Sequence, residues 1–139
     1  MGTVIRPVIS EKNKYWMDKH RYYELKHFCL QYPVWKKSYI ELDGLNKRSS
    51  GLTIYAKTNL RNSPTERCAI AKSFYSERIR MVEKAANEAD PDIASYIIKG
   101  VTEELSYNYL KTRLDIPCSR DTYYDRYRRF FWLLDKARN

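Results

Sequence analysis

Glycine and proline are scarce, at four and five residues in 139. Few sharp turns are therefore available, and the chain favours long elements. No stretch approaches the ~20 apolar residues of a membrane span, so no membrane partner is expected. The first ten residues lack the charged-then-apolar layout of a secretory signal, and Arg6 breaks the Met-Gly myristoylation pattern. Cysteine is rare as well. Cys29, Cys68 and Cys118 are odd in number and far apart, which argues against a disulfide framework or a zinc knuckle and for reduced thiols in a cytoplasm. There is no phosphate-binding glycine loop, because Gly44, Gly51 and Gly100 stand alone. His20, Glu24 and His27 fall in a row on one helical face, but no HExxH pattern and no second cluster complete a metal site. Cys29 and Cys68 lie on apolar faces and read as core thiols, and the paired glutamates read as helix surface. With no catalytic constellation, the expectation is a protein that is not an enzyme and carries no cofactor.

What the chain does have is positive charge and tyrosine. It holds 26 Lys/Arg against 17 Asp/Glu, a net charge of +9, and 13 tyrosines against four phenylalanines. The charge is uneven. Residues 1–48 carry net +5, residues 49–110 are neutral, and residues 111–139 carry net +4. Two basic ends flanking a neutral middle suit a polyanion, since a positive field attracts phosphate backbones. Tyrosine suits surfaces that are half buried and half wet.

The pattern predicts an all-α fold: a helical bundle with a C-terminal helix-turn-helix and a partly irregular N-terminal leader. We divide the chain into residues 1–62 (leader, helical segment and connector) and residues 63–139 (long helix and helix-turn-helix). In residues 1–17, Val4, Ile5, Val8, Ile9 and Trp16 are expected to pack onto the domain. Asp18 caps the first helix, with Tyr22, Leu25, Phe28, Cys29 and Tyr32 as its stripe. Pro33 forces a break near Tyr32, Val34, Trp35, Tyr39, Ile40 and Leu42 continue an apolar face, and Asp43-Gly44 ends it. Residues 44–63 read as a connector, in which 52–58 is β-prone but lacks a partner strand. Ser63, Pro64 and Glu66 start a helix running to about Ala89, with Cys68, Ala71, Phe74, Tyr75, Ile79, Val82, Ala85 and Ala86 on its apolar side. At ~25 residues it would be ~37 Å long, enough to double as an association surface. Asp90-Pro91 starts a short helix, Ser106 caps another, Asp115–Cys118 turn, and Ser119 or Asp121 caps a last helix ending near Ala137.

The segment 93–137 thus has helix-turn-helix spacing, with Ile97, Leu105, Leu110, Leu114 and Ile116 for a tri-helical core. Tyr124, Tyr127, Phe131 and Leu134 face that core, which turns Thr122, Asp125, Arg126 and Arg129 outward. A recognition helix presents its N-terminal turns to the major groove. Ser119, Arg120, Thr122 and Tyr123 stand there, and an arginine there forks onto guanine. Arg126, Arg128 and Arg129 follow as phosphate contacts, Lys111 and Arg113 clamp the backbone from the preceding helix, and Asp121 and Asp125 orient the arginines or cap the helix.

Residues 105–134 (LSYNYLKTRLDIPCSRDTYYDRYRRFFWLL) resemble the C-terminal helix-turn-helix of phage late-gene transcriptional activators of the RinA/ArpU type, itself similar to the promoter-reading region of sigma factors. The likeness rests on Leu110/Leu114, Ile116, Ser119 and Thr122 ahead of a basic aromatic helix; Pro117 departs from the pattern and lengthens the turn. The run YYELKHFCLQYPVWKKSY (22–39) also resembles small prophage proteins of gut Firmicutes. The resemblance implies a DNA-binding phage or prophage regulator, a homodimer on double-stranded DNA in a bacterial cytoplasm, with RNA polymerase or another host protein as a second partner. Two other functions fit the same residues. A small-terminase-like packaging subunit would form a ring through the long helix. A phage inhibitor of a host nucleic-acid enzyme would bind protein and not duplex.

Overall fold

The structure is a computed structural model that describes residues 13–49 and 64–138, with side chains over 13–44 and 64–138. The described residues form six helices and no strand: α1 (Lys19–Leu30), α2 (Tyr32–Ser49), α3 (Pro64–Ala89), α4 (Ala94–Thr102), α5 (Tyr107–Leu114) and α6 (Arg120–Ala137). The all-α expectation holds. Among the described residues no helix is long and apolar enough to cross a membrane.

Capping residues set the boundaries. Asp18 accepts from the amides of His20 and Arg21, Ser106 from Tyr109, and Ser119 from Thr122, each satisfying amides that a helix leaves unpaired. Pro64 takes the first position of α3, where its missing N–H costs nothing. The expected Ser63 cap, the leader residues Val4 to Ile9 and the β-prone run 52–58 lie outside the described residues. Among the described residues two non-glycine residues adopt the left-handed conformation, Glu104 (φ 55°) and Asp115 (φ 54°), and each lies just beyond a helix. The Leu105 amide returns to the Gly100 carbonyl at 3.1 Å, and the Ile116 amide to that of Leu110 at 3.1 Å, closing α4 and α5.

Two boundaries differ from the expectation. Asp90-Pro91 does not start α4, which begins at Ala94 after a turn over residues 91–93. Asp43-Gly44 does not end α2, which continues to Ser49. A glycine stops a helix by turning left-handed, and no glycine among the described residues has positive φ. The Asp43 carboxylate instead receives the Lys72 ammonium at 2.8 Å.

The chain divides into two compact units, and not at residue 62: one is the chain up to Tyr32 with Met81 onward, the other Pro33–Arg80. The division falls inside α3, because the long helix serves a different core at each end. In the second unit Trp35 is buried, while Val34 and Ile40 of α2 and Ile70 and Phe74 of α3 are exposed. The apolar face expected along α2 therefore narrows to Trp35 with half-buried Tyr39 and Leu42. Cys68 donates to the Leu42 carbonyl at 3.4 Å and is half-buried.

The first unit holds the larger core. The predicted α1 stripe is all buried, as are Val82, Ala85 and Ala86 of α3. Burial pushes the Cys29 thiol far above its usual range. Helix α4 is central: it packs against α1, α5 and α6, and α1 packs against α6. Ile97, Leu110 and Ile116 are wholly buried, whereas Leu105 and Leu114 are only half-buried. Helix α6 buries Tyr123, Tyr124, Phe130, Phe131 and Leu134. Ring pairs run along it, such as Tyr127–Phe131 at 4.9 Å and Tyr123–Tyr124 at 5.0 Å, and reach Tyr22 of α1, whose ring is 5.1 Å from Phe131. Each such ring stabilises by roughly 1.5–3 kcal/mol through burial, and each favourable pair adds about 0.5–1.5.

Two glycines test this packing. Nothing lies within 4 Å of a Cβ added at Gly44, so Gly44→Ala should stabilise by roughly 0.5–1 kcal/mol, the helix cost of glycine. A Cβ at Gly100 would meet the Tyr123 hydroxyl at 2.2 Å. That hydroxyl is buried and has no hydrogen-bond partner. Gly100→Ala should therefore destabilise by about 1–3 kcal/mol. Tyr123→Phe should be neutral or stabilising, since it removes an unsatisfied polar group. The double variant should recover most of the loss, because the next atom of the ring lies at 3.4 Å. Urea unfolding of the four proteins measures this cycle.

The tyrosines also set an alkaline limit. Burial raises the hydroxyl pKa of Tyr22, of Tyr123 and of Tyr127, whose hydroxyl is 2.7 Å from that of Tyr22. The folded state thus holds protons that the unfolded chain releases near pH 10. Stability is complete below that pH and falls as pH climbs toward the raised folded values. Urea midpoints measured from about pH 8 to 11.5 should be flat at first and then drop, with the tyrosinate absorbance of these three buried rings appearing only as helicity is lost.

Candidate nucleic-acid interface

Helices α5 and α6 are joined by the five residues 115–119, and their mutual geometry is fixed by tyrosines. The Tyr107 hydroxyl donates to the Cys118 carbonyl, and the Tyr107 amide donates to the Tyr124 hydroxyl at 3.3 Å. Ile116 anchors the turn in the core while Pro117 stays exposed. The turn is thus held from both sides, and the start of α6 is presented on a rigid support.

Six of the nine expected contact residues reach solvent around this unit: Lys111, Arg113, Ser119, Arg120 and Arg129 are exposed and Thr122 is partly so. Lys111 and Arg113 occupy the last turn of α5, where a cation complements the helix dipole. The Lys111 ammonium also reaches the Ile116 carbonyl at 3.5 Å. The Arg120 guanidinium lies 5.2 Å from the Tyr124 ring centroid. The Ser119 hydroxyl is occupied by the cap and by the Thr122 hydroxyl at 3.0 Å.

The other three stand elsewhere. Tyr123 is wholly buried and cannot touch a groove. The buried arc of α6 is wider than the expected line of Tyr124, Tyr127, Phe131 and Leu134, and takes in Tyr123 and Phe130 on its flank. Arg126 lies at the edge of that arc. Its Nε donates to Asp90 at 3.1 Å, and its Nη1 bonds Asp125, which does orient an arginine as expected. The hydrogen bond to Asp90 is the main reason its guanidinium pKa is raised. Arg128 is half-buried, with Nε enclosed and unpartnered.

Two features were not expected. Asp90 reads in sequence as a helix-start residue and does bond the Asp92 amide, but its other oxygen holds Arg126, 36 positions away. Tyr109, which the sequence reading gave no contact role, is 46% exposed, one turn ahead of Arg113. Its spacing from Arg113 is the signal that places both on one face.

His20, Glu24 and His27 are all exposed, and Glu24 is bonded by Arg21. Among the described residues no three His, Cys, Asp or Glu side chains gather as a metal site. Glu83, expected to be plain helix surface, accepts from the Tyr32 hydroxyl at 2.6 Å. Compared with protein-family models, curated proteins and solved structures, the chain matches none.

The Asp90–Arg126 contact ties α6 to the turn before α4. Asp90→Asn or Arg126→Leu should each lower stability by about 0.5–1 kcal/mol, a modest figure because the Arg126 side chain is about a third exposed and screened by solvent. A double-mutant cycle in urea should show coupling between them; strictly additive losses would mean that the contact is not formed.

Proposed function

We propose that the chain is a DNA-binding transcriptional regulator of the phage late-gene activator kind, which sets the α5–turn–α6 unit against duplex DNA. One observation carries this reading. Residues 111–138 hold eight cations and four carboxylates, but ion pairing is not spread evenly among them. Asp125 is taken by Arg126, and Asp135 by Arg21 of α1. Among the described residues, the other seven cations of this segment have no acidic partner, against two free carboxylates, Asp115 and Asp121. The unpaired excess is thus larger than composition alone implies, and its members Lys111, Arg113 and Arg120 flank the start of α6. Counterion release makes such a surface bind phosphate backbones in a salt-dependent way.

Within that surface Arg113 and Arg120 are the principal contacts. Tyr109 and Thr122 supply hydroxyls for phosphate oxygens, while the Ser119 hydroxyl stays engaged in the cap, and Arg129 extends the surface along α6. Arg126 and Tyr123 have no part in it, because one is held by carboxylates and the other is in the core. Phage or prophage origin rests on the resemblance of residues 105–134.

Duplex binding titrated with salt tests the reading. Arg113→Ala with Arg120→Ala should weaken binding roughly tenfold or more and reduce the slope of log K against log salt by about 1.8, at ~0.9 for each phosphate no longer neutralised. Both side chains are exposed, so the melting curve should not move. Unchanged duplex affinity in a folded double variant would refute the assignment.

A further inference from the structure

A second cationic surface, built differently, lies at the other end of α6. The Asn13 side chain accepts from the Tyr15 amide at 2.8 Å and its carbonyl from the Trp16 amide at 3.0 Å, so the chain turns tightly just before α1. Tyr15 and Met17 are buried, and Trp16 between them is 41% exposed. Trp16 was expected to pack inward; where the chain leaves the Asn13 turn it is exposed instead. The Tyr15 ring meets Trp132 of α6 edge-on at 5.7 Å. The Lys14 ammonium stands 5.0 Å from the Tyr15 centroid, and Lys136 stands 3.6 Å from that of Trp132. Arg129, Trp132 and Lys136 follow one another at spacings of three and four, on one stripe of α6.

None of Lys14, Arg129 and Lys136 has a carboxylate partner among the described residues. Among the described residues, the acids nearest in sequence are engaged elsewhere: Asp18 caps α1, Asp125 holds Arg126 and Asp135 holds Arg21. Lys14 and Lys136 thus rest on two rings that meet each other, and the exposed indole of Trp16 follows the first of those rings in the chain. Bases inside a duplex offer no face to a side chain, whereas an unpaired base stacks on an aromatic ring while its phosphates run along nearby cations.

We propose that this face binds single-stranded nucleic acid, with an unpaired base stacked on Trp16 and adjoining phosphates on Lys14, Arg129 and Lys136. The site meets the duplex surface at Arg129 but uses neither Arg113 nor Arg120, so its own tests rest on Lys14, Trp16 and Lys136.

The test is titration of the full chain with labelled oligothymidylate and oligouridylate, each about a dozen nucleotides long, read by anisotropy and tryptophan emission. Stacking should quench emission. Trp16→Ala should lose about tenfold in affinity and most of the quenching, whereas Trp16→Phe, which keeps a ring, should stay within about threefold of the parent. Lys14→Ala with Lys136→Ala should lower the salt slope by about 1.4, at ~0.7 for each phosphate no longer neutralised. Duplex affinity should be unaffected by Trp16→Ala. Preference for one of the two oligomers assigns the ligand as DNA or RNA, and either supports the proposal. Absence of binding to both at low salt overturns it. So does an unaltered Trp16→Ala protein, or binding to phosphatidylserine vesicles alone. A chain that takes oligothymidylate but not duplex keeps this site and removes the other; the reverse result removes this one alone.

Discussion

Gly100 sits where α4, α5 and α6 come together. An added Cβ there would meet Tyr123 of α6 and would touch Leu110 of α5 at 3.5 Å, so the missing side chain is what lets α6 approach α4 with a whole tyrosine between them. Close packing makes such a junction unforgiving, since interiors have no slack for a methyl group. The position of α6 then follows, and with it everything α6 carries: the turn held through Tyr107 and Cys118, the salt bridge from Arg126 to Asp90, and the link from Asp135 back to Arg21 of α1. The surfaces proposed to meet nucleic acid are consequences of this seating.

Helix boundaries were largely legible in the sequence because caps are local. Asp18, Ser106 and Ser119 each bond an amide two or three residues ahead, so short-range chemistry decides where those helices begin. The end of α2 was not legible. Asp-Gly is a stop signal only when the glycine turns left-handed, and the pull of Lys72 on Asp43, from 29 residues away, is invisible to a local reading. The division into units was missed for a related reason. A helix of 26 residues looks like one element, yet its two ends belong to different cores.

Site residues were less legible than helices, and the errors have two physical sources. One is angular. Four apolar positions gave a face for α6, but six aromatic or aliphatic side chains actually face inward, and the wider arc swallowed Tyr123 and brought Arg126 to its border. The other is pairing. Counting charges assigns every arginine to solvent, whereas Asp90 and Asp125 remove Arg126 from that pool. Neither Asp90 nor Trp132 announces its role by sequence distance, because their partners come from other parts of the chain.

Ion pairing also explains why a helix of mixed charge can serve an anion at both ends. Helix α6 and its capping turn carry Asp115, Asp121, Asp125 and Asp135, which would offset much of the positive field if all were free. Two of them are neutralised by arginines whose other task is to hold the fold, Arg126 on the turn before α4 and Arg21 on α1. The same contacts that fasten the helix therefore expose its remaining cations. Asp121 stays free at the helix start, where a carboxylate favours the unpaired amides of the first turn. Structural carboxylates thus lie at the middle and far end of α6, and unpaired cations lie at both ends of its outer surface. Arg120 stands beside Tyr124 at one end and Lys136 over Trp132 at the other, so each end pairs a cation with a ring. At the first end the ring is buried and only the charge is offered, which suits a duplex backbone. At the far end Trp16 is open and follows Tyr15, whose ring meets Trp132 under Lys136, and that suits a strand whose bases are free to stack.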